Sequence, residues 1–342
     1  MAGEGRRGSS AGAVLERASG RPRAIGGLRR RGAAAVAGPL EMAPFLLFAV
    51  FAAAAGCGEG GGGRGAPAKP PALEGRLVYQ RGEGSAAEIW LMDLASRKSV
   101  RLTDNGVLDE YPRWSPDGRE IAFYSDRDGS RQIYVMDAAG RGARKVTGAL
   151  SMNEDPAWAP DGRRLCFWGR PGKGGREDLY IVGLDGAGQA NITRSTGGTR
   201  RVPSWSPDGG RIAFTSDRFL GHQVYAIDAD GGNEARLTGS PRGACRPRWS
   251  PDGRRIAYSD GGYGARKNVD IWEMDPDGRN KKRLTVAPGN DYDPAYAPDG
   301  ARIIFASDRS GRYELYVMDR DGSNEARLTE FNDCARYPDW TR

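Results

Sequence analysis

The chain has 342 residues, of which 51 are glycine and 21 are proline, and 38% are hydrophobic. Glycine and proline together make up about a fifth of the chain, well above average, which excludes a helical bundle or a multi-span membrane protein. Residues 1–72 contain ten basic and four acidic side chains, so they carry most of the net charge of +7. The remaining residues are almost neutral overall, and the sequence therefore predicts no nucleic-acid partner.

An uncharged run of fourteen residues, 43–56, follows an arginine-rich segment near the N-terminus. The run is too short to span a bilayer, which takes about 20 apolar residues. It is typical of the hydrophobic region of a secretory signal. We therefore predict that residues 1–56 form a leader and that the protein is exported. The segment before the run is long for a signal, which favours a start of translation later than Met1, near Leu28.

Cys57 follows this run directly, in the sequence Ala54-Ala55-Gly56-Cys57. This sequence resembles a bacterial lipobox, in which the cysteine thiol receives a lipid, although leucine is commoner at the position of Ala54. Residues 57–72 are rich in glycine and proline, which predicts a flexible tether. The expected product is a lipoprotein of the periplasm, outer membrane or cell surface, held to the membrane only by its lipid anchor. A cleaved signal followed by an incidental cysteine is the alternative.

From residue 73 onward the chain repeats a Pro-x-Trp/Tyr-Ser/Ala-Pro-Asp-Gly motif at spacings of 44 or 47 residues. The copies are Pro112–Gly118, Pro156–Gly162, Pro203–Gly209, Pro247–Gly253, Pro294–Gly300 and a truncated copy at Pro338–Trp340. An apolar triplet, a run similar to Ile-Tyr-Val-Met-Asp and a short apolar-Thr pair lie between successive motifs. Each unit thus contains four short strands rich in β-branched and aromatic residues, divided by turn residues.

Four strands in about 45 residues are typical of one blade of a β-propeller. The first unit, residues 77–103, lacks its Pro-x-Trp strand, while the chain ends on a spare one at 338–342. Pairing these two segments would close the ring and remove an exposed sheet edge. The sequence therefore predicts that residues 73–342 form a single all-β domain, a six-bladed propeller closed by its C-terminal strand.

The repeated pattern Pro-x-Trp-Ser-Pro-Asp-Gly, Ser-Asp-Arg, Ile-Tyr-Val-Met-Asp and Leu-Thr resembles the TolB-type propeller repeat family. The resemblance covers about 270 residues and recurs in every unit. It implies the propeller fold and a protein partner bound at the mouth of the ring. The periplasmic protein after which the family is named carries an α/β domain before its propeller, where this chain has a linker. Membership of the Tol–Pal envelope machinery is therefore left open.

The recurrent aromatic residue of each motif predicts packing between neighbouring blades, at Trp114, Trp158, Trp205, Trp249, Tyr296 and Trp340. Trp168 lies outside the pattern, and we expect it at the surface or at a sheet edge. The Pro-Asp-Gly triplets have the residues of tight turns. Two segments that begin at Asp275 and Asp319 resemble the start of a calcium loop. Turns are favoured there, because the twelfth position is Val286 in the first and the fifth is only Ser323 in the second.

Few residues suggest catalysis. His222 is the only histidine of the sequence and lies in a predicted hairpin, and no carboxylate is singled out by its position. Cys166 lies in a predicted strand and fits a small core residue. Cys245 and Cys334 belong to blades two apart, so we do not expect a disulfide between them. The sequence therefore predicts no catalytic site, cofactor or metal.

Propellers usually bind partners where loops lead into the innermost strands, and here those loops carry charge. The predicted mouth residues are Asp109, Glu110, Glu154, Asp155, Arg200, Arg201, Arg242, Arg246, Asp291, Asp293 and Arg336. Their signs run acidic, acidic, basic, basic, acidic and basic around the ring, which favours a partner with a matching charge pattern. Loops whose charges are merely solvated are the alternative.

These patterns favour a non-enzymatic, monomeric scaffold whose mouth binds an envelope protein, such as another lipoprotein, or a cell-wall glycan. Two other functions are kept as alternatives. One is a carbohydrate-active lyase or hydrolase on the same fold. The other is a sensor that binds a small ligand or ion in the central channel.

Overall fold

The computed structural model describes residues 72–193, 197–218, 221–261 and 268–342. These residues form six antiparallel sheets of four strands each, which we number as blades 1 to 6. The predicted leader, the candidate lipidation site Cys57 and nearly all of the predicted tether lie outside the described residues. No helix in the described ranges is long and apolar enough to cross a membrane.

Each blade has its strands in the same order, and we name them from the innermost strand to the outermost. Blade 1 contains β24 (Ala335–Thr341), β1 (Arg76–Arg81), β2 (Glu88–Asp93) and β3 (Ser99–Arg101), with a 3-10 turn at Gly84–Ala86. Blade 2 contains β4 (Asp109–Trp114), β5 (Glu120–Ser125), β6 (Gln132–Asp137) and β7 (Arg144–Lys145). Blade 3 contains β8 (Met152–Trp158), β9 (Arg164–Arg170), β10 (Asp178–Gly183) and β11 (Ala190–Asn191).

The remaining three blades repeat this order. Blade 4 contains β12 (Arg200–Trp205), β13 (Arg211–Ser216), β14 (Gln223–Asp228) and β15 (Ala235–Arg236). Blade 5 contains β16 (Ala244–Trp249), β17 (Ile256–Asp260), β18 (Asp270–Met274) and β19 (Lys282–Arg283). Blade 6 contains β20 (Asp291–Tyr296), β21 (Arg302–Ser307), β22 (Glu314–Asp319) and β23 (Ala326–Arg327).

The C-terminal strand closes the ring, as the sequence predicts. β24 pairs with β1 in an antiparallel register that places Leu77 opposite Trp340. The pairing continues beyond the strands, because the Gly82 amide donates to the Cys334 carbonyl at 2.9 Å. β24 begins three residues before the predicted closing segment and also packs against β20 and β4 of the blades on either side. The innermost edge of blade 1 is therefore paired.

The recurrent aromatic residues pack between blades, as predicted. Trp158 joins a core cluster with residues of blade 2, and its Nε1 donates to the Arg113 carbonyl at 3.0 Å. Trp114 and Trp205 pack in the same way against the blades that precede theirs. The expectation for Trp168 is wrong. Its side chain lies in β9 with 3% exposure, inside the core between blades 3 and 4.

The Pro-Asp-Gly triplets form tight turns. In the first, the Gly118 amide donates to the Ser115 carbonyl at 2.9 Å, and Gly118 has a φ of 67°, which disfavours a side chain. The segment at Asp319 is also a turn, in which the Gly322 amide donates to the Asp319 carbonyl. Within the described ranges there is no group of three or more His, Cys, Asp or Glu that could hold a metal ion.

Cys166, Cys245 and Cys334, the cysteines of the described residues, are not joined in a disulfide. Cys166 and Cys245 are buried, whereas Cys334 is partly exposed. Burial raises the pKa of the Cys334 thiol to about 11, so this thiol is protonated at neutral pH. The Cys334 thiol is therefore not a thiolate at neutral pH.

We expect Trp158→Ala to lower the free energy of unfolding by about 3–5 kcal/mol, because it opens a cavity between blades 2 and 3. Trp158→Phe keeps most of the ring and loses the indole hydrogen bond, so its cost should be smaller, about 1–2 kcal/mol. Urea unfolding monitored by circular dichroism measures both. Equal, small effects of the two substitutions would contradict the packing role.

Candidate functional site

The six innermost strands share a distortion directly before the motif proline. Each is interrupted by a register shift at this point in its pairing with the next strand. The residue before the proline has a positive φ of 52–59° in all six blades, and none is glycine. We call these residues the bulge ring: Tyr111, Asp155, Val202, Arg246, Asp293 and Tyr337. Such backbone conformations cost about 1–3 kcal/mol each and are retained where the surroundings impose them.

Side chains of the bulge ring meet at the axis of the propeller. Arg246 of blade 5 donates from Nη1 to the hydroxyl of Tyr111 at 2.8 Å, although Tyr111 belongs to blade 2 on the opposite side. The ring of Tyr111 stacks on that of Tyr337 with centroids 3.7 Å apart. Arg246 also forms an ion pair with Asp293 of the adjacent blade. These contacts close the centre of the ring with polar and aromatic side chains.

A second layer lies one residue beyond the proline, at Arg113, Ala157, Ser204, Arg248, Ala295 and Asp339. Arg248 of blade 5 forms an ion pair with Asp339 of blade 1. The other carboxylate oxygen of Asp339 accepts the Trp114 amide at 2.7 Å. Burial lowers the pKa of the Arg113 guanidinium to about 10, and the neighbouring Arg248 adds to this effect. The axis is thus filled below the bulge ring as well.

The residues two positions before the motif proline form the entrance to the centre of the propeller, above the bulge ring. The entrance positions are Glu110, Glu154, Arg201, Cys245, Tyr292 and Arg336. Glu154 accepts a hydrogen bond from Arg131 Nη1 at 2.6 Å, and Arg201 pairs with Glu177. Arg336 lies 4.5 Å over the ring of Tyr313 and 3.4 Å from Asp293. Neighbouring strands and turns thus hold the charged entrance residues in place.

The predicted mouth residues divide into four groups in the structure. Glu110, Glu154, Arg201 and Arg336 lie at the entrance, and Asp155, Arg246 and Asp293 lie in the bulge ring. Asp109, Arg200 and Asp291 occupy the next position outward and are almost fully buried in their blades. Arg242 is exposed on the loop before β16 and is not part of the inner strand. Whether any of the eleven contacts a partner stays a prediction.

Two of the most buried of these residues, Asp109 and Asp291, form ion pairs within their own blades. Asp109 accepts from Arg127 at 3.1 Å, and Asp291 accepts from Arg309 at 2.8 Å. Both arginines come from the Ser-Asp-Arg segments of the repeated pattern. Arg200 donates to the Gly197 carbonyl at 3.0 Å and is 1% exposed. Asp109 and Asp291 are thus held within their own blades, and Arg200 is held against the connection between blades 3 and 4.

The adjacent carboxyl groups of Glu154 and Asp155 are buried near the entrance. Burial raises the pKa of Glu154, and the charge of Asp155 raises it as well. Together they bring this pKa to about 7, although the Arg131 guanidinium lowers it. Burial likewise raises the pKa of Asp155 to about 6, against the opposing effects of Arg246 and Arg201. Burial also raises the pKa of Glu110. The acidic side of the entrance is consequently sensitive to pH near neutrality.

Sequence reasoning misses Tyr111 and Tyr337 of the bulge ring and Arg113, Arg248 and Asp339 of the layer below. A charge count over the loops cannot find the two tyrosines, and the other three lie after the motif proline, where a packed strand is expected. The signal that could find them is positional. All of them lie one residue before or after the same proline in each repeat.

Six four-stranded antiparallel blades around one axis define this chain as a six-bladed β-propeller. The sequence profile of the TolB beta propeller domain matches residues 55–171, 142–269 and 243–342. The chain therefore belongs to the TolB beta propeller domain family, which confirms the resemblance seen in the repeats.

Solved structures agree on the fold. TolB from Acinetobacter baumannii is similar with a TM-score of 0.67 at 24% identity, over 79% of this chain and 67% of that one. A putative TolB from Agrobacterium tumefaciens has a TM-score of 0.63 at 23% identity, over 79% of this chain and 100% of that one. An oligogalacturonate lyase in complex with manganese has a TM-score of 0.51 at 15% identity, over 75% of this chain and 74% of that one.

One curated relative matches a short stretch only. The uncharacterized peptidase YuxL of Bacillus subtilis is 40% identical over 52 residues, which are 15% of this chain and 8% of the peptidase. The match spans little more than the length of one blade. It is therefore consistent with a shared propeller repeat.

The raised pKa values predict how stability depends on pH. Between about pH 4 and pH 7 the folded protein holds the protons of Glu154 and Asp155 more tightly than the unfolded chain does. Their contribution to the free energy of unfolding is therefore fully present below the unfolded pKa values and is lost as the pH rises through 7. Glu154→Gln should reduce the loss of stability between pH 5 and pH 8 by about 1–3 kcal/mol.

Thermal unfolding of both proteins at pH 5 and pH 8 tests this dependence. Asp230→Asn, which removes an exposed carboxylate in a turn of blade 4, is the matched control and should leave the difference between the two pH values unchanged. An unaltered pH dependence in Glu154→Gln would show that Glu154 is not the titrating group.

Proposed function

We propose that this protein is an exported, non-enzymatic propeller that binds a protein of the cell envelope at its entrance. Membership of the TolB beta propeller domain family supports a protein-binding role in the envelope. The observation that carries the proposal is the entrance itself, a rim of partly exposed arginine and tyrosine side chains above a closed centre. A closed centre favours a partner that docks on the ring over a solute that passes through it.

The entrance has the composition of protein-binding surfaces, in which arginine and tyrosine are enriched. On one side, Arg336 lies against Tyr292, Tyr313 and Tyr337 with its side chain 22% exposed. On the other side, Arg131 is 37% exposed and is paired with Glu154, which is 11% exposed. Ion pairs and ring contacts hold these groups before a partner arrives, so little side-chain entropy is lost on binding.

The charge pattern favours one orientation of the partner. Glu154 at the entrance and Asp155 directly below it belong to blade 3, whereas Arg336 at the entrance and Arg246 below it belong to blades 1 and 5 on the other side of the axis. A partner segment with a basic and an acidic end would match this arrangement, since opposite charges across an interface set orientation and association rate. A glycan of the cell wall is the second partner class that this surface could accept.

Arg131→Glu should remove partner binding, because it places a like charge against Glu154 and inverts an exposed charge at the entrance. Arg141→Glu is the matched control, since Arg141 lies on the turn after β6, at the opposite end of blade 2, and is 79% exposed. In-cell crosslinking followed by affinity purification should recover one envelope protein with the wild type and with Arg141→Glu. The Arg131→Glu protein should recover at least about tenfold less. Equal recovery by all three folded proteins would contradict an entrance-bound partner.

Membrane attachment rests on Cys57 in this proposal. Cys57→Ser should release the protein from the membrane fraction into the soluble envelope fraction, because the serine hydroxyl is not a substrate for thioether formation with lipid. Labelling with a radioactive fatty acid should be lost at the same time. Persistent fatty-acid labelling of the Cys57→Ser protein would exclude Cys57 as the anchor, and absence of label in the wild type would favour a plainly cleaved signal.

The enzyme alternative has support only from the fold, through the similarity to an oligogalacturonate lyase. Release of shorter oligosaccharides from a polysaccharide by the purified protein would favour the enzyme, whereas a glycan that only raises the melting temperature would fit a binding role. The sensor alternative would be favoured in the melting-temperature assay by an ion or small solute.

A further inference from the structure

The residues that lead into the propeller are bound to it before β1 begins. The Glu74 carbonyl accepts a hydrogen bond from Trp340 Nε1 at 3.0 Å. Leu73 is 3% exposed and belongs to the core cluster that contains residues of blades 1 and 6. The Ala72 carbonyl accepts a hydrogen bond from Arg302 Nη1 at 3.1 Å. These contacts fix the path of the chain back to Ala72.

The face of the ring opposite the entrance, which we call the far face, is where these contacts lie. It is formed by the turns after the third strands and by the Pro-Asp-Gly turns of blades 2 to 6, at 116–118, 160–162, 207–209, 251–253 and 298–300.

In blades 2 to 6 a Pro-Asp-Gly turn joins the innermost strand to the second strand. In blade 1 these two strands come from opposite ends of the sequence, so β24 ends and β1 begins at the place of this turn. Arg302, which binds Ala72, begins β21 just after the Pro-Asp-Gly turn of blade 6. The chain therefore enters the propeller from the far face.

The height of blade 1 separates this point from the entrance. Thr341 lies opposite Arg76, the first residue of β1, whereas the entrance residue Arg336 lies opposite Gln80 near the other end of the strand. The six residues of β1 rise about 20 Å. The entrance and the point where the chain enters the propeller thus lie at opposite ends of the same blade.

The length of chain between Cys57 and the propeller limits how an anchored protein can lie on a membrane. The fifteen residues from Cys57 to Pro71 reach about 50 Å at full extension. A glycine-rich chain of this length has a root-mean-square span of about 20 Å. To bring the entrance to the bilayer, these residues would have to pass two outer strands and run the height of a blade, at least about 30 Å. Contact through the far face needs no such extension.

The far face carries exposed charges of both signs. Arg119 and Arg141 are 86% and 79% exposed, and Asp117 and Asp277 are 59% and 55% exposed. Attraction to an anionic bilayer takes clustered basic residues, which a mixture of this kind does not supply. The tether, and not the charge of the far face, is therefore the feature that sets the orientation.

We propose that the far face is the membrane-facing surface of the anchored protein and that the entrance opens away from that membrane. This orientation rests on the proposed function, because it takes Cys57 as the point of attachment. It also narrows the class of partner. A protein that binds at the entrance reaches it from the aqueous space, either as a soluble protein or as a domain that extends beyond the height of the propeller.

Fluorescence quenching at a vesicle surface tests this orientation. A fluorescent amino acid replaces either Arg119 on the far face or Glu330 on the loop before β24, positions that are 86% and 79% exposed. Cys334→Ser in the full chain leaves Cys57 for coupling to a maleimide lipid, because the other two cysteines are buried. The vesicles are phosphatidylcholine with nitroxide-labelled headgroups as the quencher.

We expect quenching at position 119 to be at least about threefold stronger than at position 330, because the entrance lies about 20 Å farther from the bilayer. Equal quenching at the two positions, or stronger quenching at position 330, would overturn the proposal.

A longer tether is the matched control. Insertion of about thirty glycine and serine residues after Gly63 raises the root-mean-square span to about 35 Å. The difference between the two positions should then fall below about twofold, because the entrance can also reach the bilayer. An unaltered difference would show that the far face itself binds lipid, and the role of the tether would be wrong.

The outcome is independent of the tests of the proposed function. Cys57 is coupled chemically, so the quenching does not require that a cell attaches lipid to it. Arg131→Glu should leave the quenching at both positions unchanged. Loss of fatty-acid labelling or of partner capture would contradict the proposed function, whereas equal quenching would contradict the orientation alone.

Discussion

The structure depends on the pairing of the last strand with the first. A four-stranded blade buries its faces only against its neighbours, so each blade needs another on both sides, and a row of blades leaves two unprotected ends. The antiparallel pairing of β24 with β1 joins these ends. It brings Trp340 into the core cluster that contains residues of blades 1 and 6. The innermost strand of blade 1 is thereby supplied from the other end of the sequence.

Closure also brings six equivalent points of the chain to one axis. Each innermost strand reaches the axis with a bulge at a residue of positive φ, although the residues there are as different as Val202, Asp155 and Tyr337. Different side chains occur here at a backbone conformation that usually favours glycine. The conformation is therefore imposed by the proline, the register shift and the neighbouring strands. Every blade therefore contains the same strained backbone conformation, whereas the side chain at this position differs from blade to blade. This freedom is what allows the centre to be closed by an arginine, two tyrosines and two aspartates.

The repeats are most informative where they differ. The Ser-Asp-Arg segment of blades 2, 4 and 6 is a turn whose arginine returns to cover the blade's own aromatic pair. Blades 3 and 5 keep the aromatic pair, but the sequence has Pro171 and Gly262 in place of this arginine. A cation over the aromatic pair is therefore present in only some of the repeats.

The number of blades and the strand order could be predicted from the sequence because they are encoded locally, in alternating apolar residues and Pro-Asp-Gly turns that recur about every 45 residues. The ring closure joins distant segments, and it could be predicted because the first unit lacks one strand and the C-terminal segment has a spare one. The inter-blade packing of the motif tryptophans follows from the same repetition, whereas Trp168 was expected at the surface because it falls outside the repeat. Its burial depends on the blade that packs against β9, which no local pattern contains.

The repeats thus specify the architecture and the segments that form the entrance, whereas the role of each charge there depends on which side chains the folded ring places beside it. Asp109 and Glu110 are neighbours in sequence, yet one is fully buried against Arg127 and the other lies at the entrance with Gln80 of blade 1. Successive side chains of a strand point in different directions, and the bulge rotates the next one toward the axis. Contacts such as that of Arg246 with Tyr111 join residues 135 apart. Such partners are chosen by the closed ring, because only closure brings opposite blades within reach of one another.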